Sequence, residues 1–585
     1  MKSRKTSIQL VSLAIAIGFL LITSCSDDDN DSVQEVSNFP SSYVEILNLK
    51  KDKARYNPGE QVDFTVSSVH PNTLVRYKYL GETVHEEPLA QTAWSWQPPS
   101  EDFKGYMVEL VKQTDGEETI LGTVGVDVSS DWTKFPRYGF LSDFGNISES
   151  QRSSILNNLK DYQINGLQYY DWLSKHHIPL PLDDAGAPLD QWTDLFNREI
   201  KFNTVKGYID EGHDLNMASM FYDLLYGAWN PESGDGFQED WVIFNDQFHN
   251  DINRHDLGGL GSIWVTDPNN SDWQDYIFSK TEDVYNNLDF DGWHLDQLGD
   301  RGNVYTYGGY QVNMRNGFHN FLNELTAAFP DKKHVLNAVA QYGQSEILST
   351  PMDFAYTEVW TRSQYADLAQ VILENYEMSN GNLNTVLAAY MNYNASEGYF
   401  NTPSVLMTDA VIFAFGGDHL ELGEHMLSKE YFPYNNLAMD DELKSSLKEY
   451  YDFVVAYENI LRDGGNTVLP EVSSPQVGIN NWPPVFGNIS VVGKQFDNRE
   501  SFQLINFNGV ATLDWRDNNR VQTQPTSFSD LEISIHSNSN VSKVWFASPD
   551  YNGGASQELE FQNTNGQVTF KIPYLSYWSM VVFEN

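Results

Sequence analysis

Cysteine is nearly absent from this chain: its 585 residues include a single one, Cys25. One cysteine cannot form a disulfide within the chain, so no disulfide framework stabilises the fold. Positive charge is also scarce, because 36 lysines and arginines stand against 81 aspartates and glutamates, giving a formal net charge of −45. Binding a nucleic acid requires clustered cationic side chains that displace the counterions of the phosphates. We therefore expect no nucleic-acid partner.

Long hydrophobic runs are missing after the N-terminal residues, so no transmembrane helix is predicted there. A basic stretch, residues 2–5, precedes the apolar run Ile8–Ile22, which has the proportions of a secretory signal. Residues 22–25 resemble a bacterial lipobox, and the acidic tract 26–31 resembles the export signal of some surface lipoproteins. We predict a lipid anchor on Cys25 and a location on the surface of the outer membrane. The alternative to the lipobox is an ordinary signal peptide with a chance cysteine. The alternative to the export signal is a plain solvated linker.

The rest of the chain is rich enough in apolar residues to form large cores, since 41% of the residues are hydrophobic and 14% are aromatic. Short alternating strands before and after a central region predict two β-sandwiches, the first immunoglobulin-like and the second antiparallel. We predict a multidomain protein of five segments: signal peptide 1–24, acidic tether 25–40, β-sandwich 41–130, catalytic (β/α)8 TIM barrel 131–465 and β-sandwich 466–585.

The central region alternates apolar strands with amphipathic helices, which is typical of a (β/α)8 barrel. Eight runs are predicted to be its strands: Tyr138–Phe144, Ile164–Tyr170, Leu215–Tyr222, Phe290–Leu295, His334–Val339, Phe354–Trp360, Val386–Asn392 and His419–Leu422. Helical spacing predicts helices at Tyr310–Ala328 and Ser404–Phe415. The alternative is a doubly wound sheet, but no glycine-rich phosphate turn follows the first strand.

Two carboxylates stand at the ends of predicted strands, where barrels place their active sites. Strand four ends in Asp296, and His294 faces the same way because side chains alternate along a strand. Strand six ends in Glu358, between aromatic residues that would desolvate it. Glycoside hydrolysis requires such a pair, one carboxyl group ionised and the other protonated. One alternative is that the two carboxylates stand at strand ends by chance, since the chain has 81 acidic residues. Another is a metal site formed by His294 and Asp296, but no third ligand with suitable spacing follows them.

Three motifs resemble glycoside hydrolase family 66: Phe135–Phe140, Asp291–Gly299 and Tyr356–Trp360. The resemblance extends from about residue 40 to the end of the chain. That family comprises endodextranases and cycloisomaltooligosaccharide glucanotransferases, which act with retention on α-1,6-linked glucans. The resemblance implies that Asp296 is the nucleophile, that Glu358 is the general acid/base, and that the substrates are dextran and isomaltooligosaccharides.

Further residues near strand ends are predicted to hold sugar hydroxyls, with plain loop packing as the alternative. The resemblance favours Asp171, after strand two, for the glucose unit that is attacked; otherwise Asp171 would cap a following helix. The other candidates are Tyr222, His294, Gln297, Trp360, Asn392 and Glu421. No metal or cofactor is predicted. Structural calcium in the acidic loops is an open alternative, although no EF-hand spacing supports it.

The sequence thus predicts a surface-tethered, monomeric endodextranase. The close alternative is a cyclising transglucosylase of the same family. Cyclising members carry a carbohydrate-binding domain inserted within the barrel, whereas residues 392–419 have room only for a loop and one helix. A non-catalytic glycan-binding lipoprotein is a third possibility, which predicts that one of the two carboxylates would be missing.

Overall fold

Eight short parallel strands run through the centre of the chain in a computed structural model that describes residues 46–585. They are strand one (Tyr138–Leu141), two (Gly166–Tyr169), three (Ala218–Leu224), four (Gly292–Asp296), five (Lys333–Leu336), six (Ala355–Glu358), seven (Thr385–Ala388) and eight (Asp418–His419). Each overlaps one of the predicted runs. The predicted signal peptide, Cys25 and the tether lie outside the described residues.

The parallel strands pair in chain order. Strands one to five form one sheet and strands six to eight form another. Asn337, just after strand five, makes a parallel bridge to Tyr356 of strand six. At the opposite edges, the amide of Phe140 in strand one donates to the carbonyl of Leu422, just beyond strand eight, over 3.0 Å. Because the strands are parallel, their carboxyl ends lie on one side, and the residues that follow them converge there.

One buried cluster draws side chains from most of these strands. Its members are largely aromatic or small: Trp132, Tyr138, Phe140, Ala218, Met220, Val335, Phe354, Tyr356, Val386, Ala388, Tyr390, Leu420, Leu427 and Phe432. Trp132 packs against the start of strand two, where a Cβ on Gly166 would lie only 2.3 Å from its ring. Glycine is therefore required at position 166, because any larger residue would displace the indole.

Nine α-helices lie among the described residues: Glu149–Asp161, Phe202–Asp214, Ser271–Asn287, Met314–Ala328, Gln344–Leu348, Tyr365–Met378, Thr402–Ala414, Asp441–Ala456 and Glu458–Leu461. Several begin at side-chain caps, as at Ser148, Asn270 and Asp440. The predicted helix from Tyr310 begins later, at Met314, because Gln311–Val312 pairs with Val304–Tyr305 in a hairpin instead.

Short accessory strands occupy the connections between these elements. They are Gln191–Thr193, Glu199–Lys201, Ala228–Trp229, Arg254–Asp256, Ser262–Trp264, Val304–Tyr305, Gln311–Val312, Gly398–Tyr399 and Leu437–Ala438. Single 3-10 turns occur at Trp132–Lys134, Glu239–Trp241, Gly258–Leu260, Val339–Gln341 and Asn552–Gly554. The three strands between parallel strands three and four form a small sheet of their own.

Two sheets precede the parallel strands. One contains Lys50–Lys51, Val62–Thr65 and Ala93–Trp96, and the other contains Thr73–Tyr79, Glu82–Pro88, Lys104–Thr114 and Glu117–Val128. Phe64 of the first sheet and Tyr77 of the second pack in one core, with ring centroids 6.3 Å apart. Alternating patterns predict strands at Val62–Val66, Leu74–Leu80, Tyr106–Val111 and Ile120–Val128, which overlap four of these seven strands. They miss Glu82–Pro88 because that strand is polar and exposed along its length.

Two further sheets follow the parallel strands. The larger contains Asn466–Val468, Gly478–Asn481, Asn488–Gln495, Arg499–Asn506, Lys543–Ala547, Gln557–Glu558 and Trp578–Glu584. The smaller contains Val472–Ser473, Phe528–His536, Phe561–Thr564 and Gln567–Leu575. Phe570 and Phe583 join the two sheets in one core. The sheets are not wholly antiparallel as predicted, because Gly478–Asn481 pairs in parallel with its neighbour.

The three parts are held together by polar contacts. Thr123 in the first part donates to the carbonyl of Gly553 in the last over 2.8 Å. The amide of Asn392, after parallel strand seven, donates to the carbonyl of Arg516 in the last part over 2.7 Å. Residues 46–585 accordingly belong to a single compact unit. Among the described residues, no helix combines the length and hydrophobicity that crossing a membrane requires.

Candidate active site

Asp296 and Glu358 lie at the carboxyl ends of parallel strands four and six, and one side chain contacts both. The amide nitrogen of Asn337, after strand five, is 2.9 Å from Oδ1 of Asp296 and 3.4 Å from Oε2 of Glu358. These two oxygens are therefore at most 2.9 + 3.4 = 6.3 Å apart. Strand five places Asn337 there because it runs between strands four and six.

The carboxylate of Asp296 accepts three hydrogen bonds. Besides Asn337, the hydroxyl of Tyr222 donates to Oδ2 and the backbone amide of Gln297 donates to Oδ1, both over 2.8 Å. Burial raises the pKa of Asp296 to about 7, and the charge of Glu358 adds to this shift, while the three donors oppose it. Asp296 thus combines a desolvated position with a hydrogen-bond set that stabilises its ionised form.

Glu358 has a matching set of donors on its other side. The hydroxyl of Tyr390 donates to Oε1 over 2.7 Å, and the indole of Trp360 also donates to this carboxylate. Burial raises the pKa of Glu358 above its ordinary value despite these donors. A carboxyl group with a raised pKa holds its proton nearer to neutral pH, which a general acid requires.

His294 lies on the same side of strand four as Asp296, one pleat further from the carboxyl end. Its Nδ1 is 3.2 Å from the hydroxyl of Tyr138, and the edge of its ring meets Tyr356 at 4.7 Å between centroids. Burial lowers the pKa of His294 to about 3, so the ring is neutral. His294 therefore forms part of the floor beneath Asp296 and is packed among aromatic rings.

Asp171 is buried after strand two, with a backbone φ of 51°. Its Oδ2 has no hydrogen-bond partner among the described residues, and burial raises its pKa to about 8, opposed by the charge of Arg198. The helix-cap alternative is wrong, because the next helix begins only at Phe202. Asp171 is thus a buried carboxyl group with one unpartnered oxygen, and its contact with a sugar hydroxyl stays a prediction.

Gln297 does not have the free side chain that sequence reasoning expected. Its amide nitrogen donates to the carbonyl of Tyr342 over 3.2 Å, and its amide oxygen accepts from the backbone of Gly299 over 2.7 Å. The side chain is buried and both ends are occupied by backbone groups. Gln297 therefore shapes the loop after strand four, and only its backbone amide contacts Asp296.

Asn392 also differs from the prediction. It is fully buried and its amide nitrogen donates to the carbonyl of Asp517 over 3.0 Å, while its side-chain oxygen accepts from the backbone of Asn401 over 2.8 Å. Asn392 fixes the loop after strand seven to the C-terminal part of the chain. It is not placed to hold sugar hydroxyls.

Glu421 is wrongly predicted as well, because it points towards the surrounding helices. Its carboxylate accepts from the hydroxyl of Tyr451 over 3.1 Å and lies 3.4 Å from Nδ1 of His419. Strand eight ends at His419, and Leu420 takes the inward position, so alternation turns Glu421 outward.

Asp409, His419 and Glu421 are also the one group among the described residues whose geometry could hold a metal ion. His419 has both ring nitrogens in hydrogen-bonding distance of oxygens, 2.8 Å to Asp409 and 2.9 Å to the carbonyl of Ala389. This arrangement is that of a hydrogen-bonded network that fixes strand eight to two helices. It is separate from the pair formed by Asp296 and Glu358.

Two site residues escaped sequence reasoning. Asn337 and Tyr390 each follow a correctly predicted strand and directly contact a carboxylate. The only signal was their position, a polar residue at the end of an apolar run. The residues assembled around the carboxylates are Tyr222, His294, Asp296, Asn337, Glu358, Trp360 and Tyr390.

Comparison with known proteins places this arrangement among enzymes. Residues 51–582 match the model of glycosyl hydrolase family 66. A cycloisomaltooligosaccharide glucanotransferase of Niallia circulans is 28% identical, covering 91% of this chain and 71% of that protein. A dextranase of Streptococcus salivarius is 22% identical, covering 82% of this chain and 67% of that protein.

A solved structure agrees over nearly the same length. The cycloisomaltooligosaccharide glucanotransferase of Paenibacillus sp., crystallised with cycloisomaltoheptaose, superposes with a TM-score of 0.84 and is 26% identical. The match covers 91% of this chain and 99% of the crystallised one. The multidomain arrangement with many sheets is therefore shared with a relative of related sequence.

Proposed function

The chain belongs to glycosyl hydrolase family 66 and is a glycoside hydrolase, and on that premise we propose that it cuts internal α-1,6 linkages of dextran into isomaltooligosaccharides. The relatives named above are a cycloisomaltooligosaccharide glucanotransferase and a dextranase, and these names support a glucan substrate for this chain. The neutral polymer also suits a protein with a net charge of −45, which would repel an anionic one.

We assign a retaining double displacement to the two carboxylates. Asp296 attacks the anomeric carbon, while Glu358 protonates the departing glycosidic oxygen. Glu358 then removes a proton from water, which displaces Asp296 and restores the α configuration. The contact that carries this proposal is Asn337, which limits the facing oxygens to 6.3 Å. Inverting enzymes need about 6.5–9.5 Å to admit water between the carboxyl groups, whereas retaining ones have about 5–5.5 Å.

The scaffold that we propose for this chemistry is a closed (β/α)8 barrel at residues 131–465 between β-sandwiches at 41–130 and 466–585. The eight parallel strands in chain order, with contacts at both junctions between their sheets, support it. Barrels of this kind carry their active sites at the carboxyl ends of the strands, which is where Asp296 and Glu358 lie.

Replacing either carboxylate tests the mechanism. We expect Asp296→Asn and Glu358→Gln to lose nearly all activity on dextran, and Glu358→Gln to regain turnover of an activated isomaltosyl substrate when azide is added. Azide would attack the β-linked glycosyl-enzyme, so the product would be the α-glycosyl azide. Wild-type rates in either variant, or a β-azide product, would overturn the assignment.

The second candidate is a cyclising glucanotransferase, which the names of two of the relatives favour. Against it, the segment from Asn392 to strand eight contains only the short strand Gly398–Tyr399 and the helix Thr402–Ala414, with no inserted domain. Chromatography of the products from dextran separates the two. Linear isomaltooligosaccharides support hydrolysis, and cyclic products as the main species would reverse the choice.

We also propose that the chain is anchored to the outer membrane through a lipid on Cys25, facing the cell surface. The lipobox-like residues 22–25 and the acidic tract after them support this. Metabolic labelling with an alkyne fatty acid should mark the wild-type protein and leave Cys25→Ser unlabelled and released from membranes. Labelling of the Cys25→Ser protein, or its retention in the membrane fraction, would refute the anchor.

A further inference from the structure

Exposed aromatic rings are concentrated at one place in the described part of the chain. Among the described residues, seven aromatic side chains are exposed. Three of them, Phe248 (69%), Tyr307 (45%) and Tyr310 (77%), lie in two adjoining loops. We call these three residues the rim patch. Single exposed apolar residues are ordinary, but neighbouring flat rings with this exposure mark an interaction surface.

The loop that carries Phe248 is held by hydrogen bonds between the side chain of Asp246 and backbone amides of the same loop. The carboxylate of Asp246 accepts from the amides of Phe248 at 2.8 Å, Asn250 at 3.2 Å and Asp251 at 3.0 Å. His249 then stacks on Tyr307, with centroids 4.5 Å apart and ring planes 15° apart. The backbone at Phe248 and the ring of Tyr307 are therefore fixed before any ligand arrives, which reduces the entropy lost on binding.

Tyr310 is presented by the hairpin Val304–Tyr305 and Gln311–Val312. The amide of Thr306 donates to the carbonyl of Tyr310 over 2.8 Å, closing the turn. Gly309 has a φ of 80°, and a Cβ at that position would lie 2.6 Å from the carbonyl oxygen of Gln247. The tip of the hairpin thus packs directly on the loop that carries Phe248, and glycine is required for this approach.

The rim patch is continuous with the strand that carries Asp296. Residues 297–303 connect strand four to the hairpin, and the amide of Leu298 donates to the hydroxyl of Tyr226 over 2.8 Å. Arg301 donates to the side chain of Asn253 over 2.9 Å. Phe244 and Tyr305 exchange backbone hydrogen bonds of 2.8 and 2.9 Å. The loops after strands three and four therefore form one connected layer on the side where the strands end.

From this arrangement we propose that the rim patch binds a segment of the glucan chain outside the catalytic cleft. The inference rests on the proposed glucan substrate. Flat aromatic faces pack on the apolar CH faces of pyranose rings, and they do so without charge. A neutral polysaccharide is favoured over an anionic ligand because the protein is strongly acidic and the patch is flanked by Asp246 and Asp251. The patch gives long chains a second point of attachment that short oligosaccharides cannot reach.

The test compares a long and a short substrate in matched variants. For Phe248→Ala and Tyr310→Ala, the ratio of kcat/KM on high-molecular-mass dextran to that on isomaltotetraose should fall about 3- to 10-fold, the effect of losing one aromatic contact. The controls are Phe486→Ala and Tyr376→Ala, which remove exposed rings far along the chain from the patch and should leave the ratio unchanged. An unchanged ratio in both rim variants would overturn the proposal.

A binding measurement separates this inference from the proposed function. In native gels containing dextran, the Glu358→Gln protein should migrate more slowly than in plain gels, and adding Phe248→Ala and Tyr310→Ala should remove much of that retardation. Equal retardation with and without the rim substitutions would refute the patch. Failure of the wild-type protein to cleave dextran would refute the proposed function, and the gel would still report on the patch.

Discussion

The side-chain amide of Asn337 lies 2.9 Å from Oδ1 of Asp296 and reaches towards Glu358 with the same nitrogen. In the mechanism proposed above, a donor in this position would stabilise the Asp296 carboxylate as it leaves the glycosyl-enzyme. It would also hold the proposed acid/base close to the proposed nucleophile. Strand five would thus contribute to the chemistry although it carries neither carboxylate.

Removing this donor should slow turnover without abolishing it. A hydrogen bond to a charged group contributes about 1.5–3 kcal/mol, so kcat of Asn337→Ala on dextran should fall about 10- to 100-fold. Asn337→Asp should be worse, because a third carboxylate repels the other two. Asn382→Ala, an exposed asparagine, serves as the control. Steady-state kinetics would contradict this role if Asn337→Ala kept the wild-type kcat.

The hydroxyl of Tyr390 should set the alkaline limit of activity. It donates to Oε1 of Glu358 over 2.7 Å and so stabilises the ionised form of a group whose pKa burial has raised. In Tyr390→Phe the pKa of Glu358 should rise further, and the acid should keep its proton to higher pH. The alkaline limb of the kcat/KM profile should therefore move upward. A downward shift would contradict the assignment of Glu358 as the acid.

Removing the hydroxyl of Tyr222 should move the acidic limb of the kcat/KM profile upward in pH, as removing that of Tyr390 moves the alkaline limb. Its hydroxyl donates to Oδ2 of Asp296 over 2.8 Å and opposes the burial that raises the pKa of Asp296 to about 7. Tyr222→Phe should raise that pKa further, so more of the nucleophile is protonated below neutral pH. The acidic limb should move upward and activity at mildly acidic pH should fall. An acidic limb at the wild-type position would show that Tyr222 does not control Asp296.

Much of this fold is predictable because its strands are locally encoded. Each of the eight parallel strands overlaps a short, mostly apolar run, so their positions follow from the sequence, although strand eight itself is only the polar pair Asp418–His419. Asp296 and Glu358 are found for the same reason, since they end two of those runs. The polar strand Glu82–Pro88 has no such signature, because its pairing partner rather than its own sequence fixes it.

The remaining site residues depend on contacts that are distant in the sequence. Asn337 becomes significant only when strand five is placed between strands four and six. Asn392 stands at the end of a predicted strand, as a site residue would. Its side chain instead donates to the backbone carbonyl of Asp517, which is 125 residues away in the sequence. Glu421 fails because Leu420 takes the inward position after strand eight, so alternation turns Glu421 outward. The short sequence of strand eight does not fix which of these side chains faces inward.

A buried ion network should stabilise the junction between the first part of the chain and the parallel strands. The guanidinium of Arg137 is 2.6 Å from Oδ2 of Asp127 and 3.4 Å from Oε2 of Glu458, and all three side chains are fully buried. The pKa of Asp127 is lowered mainly by Arg137, against the opposing effect of burial. Its stabilising effect is therefore complete above the ordinary aspartate pKa of 3.8 and is lost as the pH falls below that value.

Arg137→Met should lower the free energy of unfolding by about 3–5 kcal/mol, because the buried carboxylate of Asp127 would lose its guanidinium partner. Urea titration at neutral pH measures this loss. Arg137→Met with Asp127→Asn should be less destabilised than the sum of the single variants, since the second change removes an unpaired charge. Arg76→Met is the control: its partners Glu86 and Glu118 are exposed, and surface ion pairs contribute under about 1 kcal/mol. Equal losses in Arg137→Met and Arg76→Met would show that burial adds nothing to the Arg137 network.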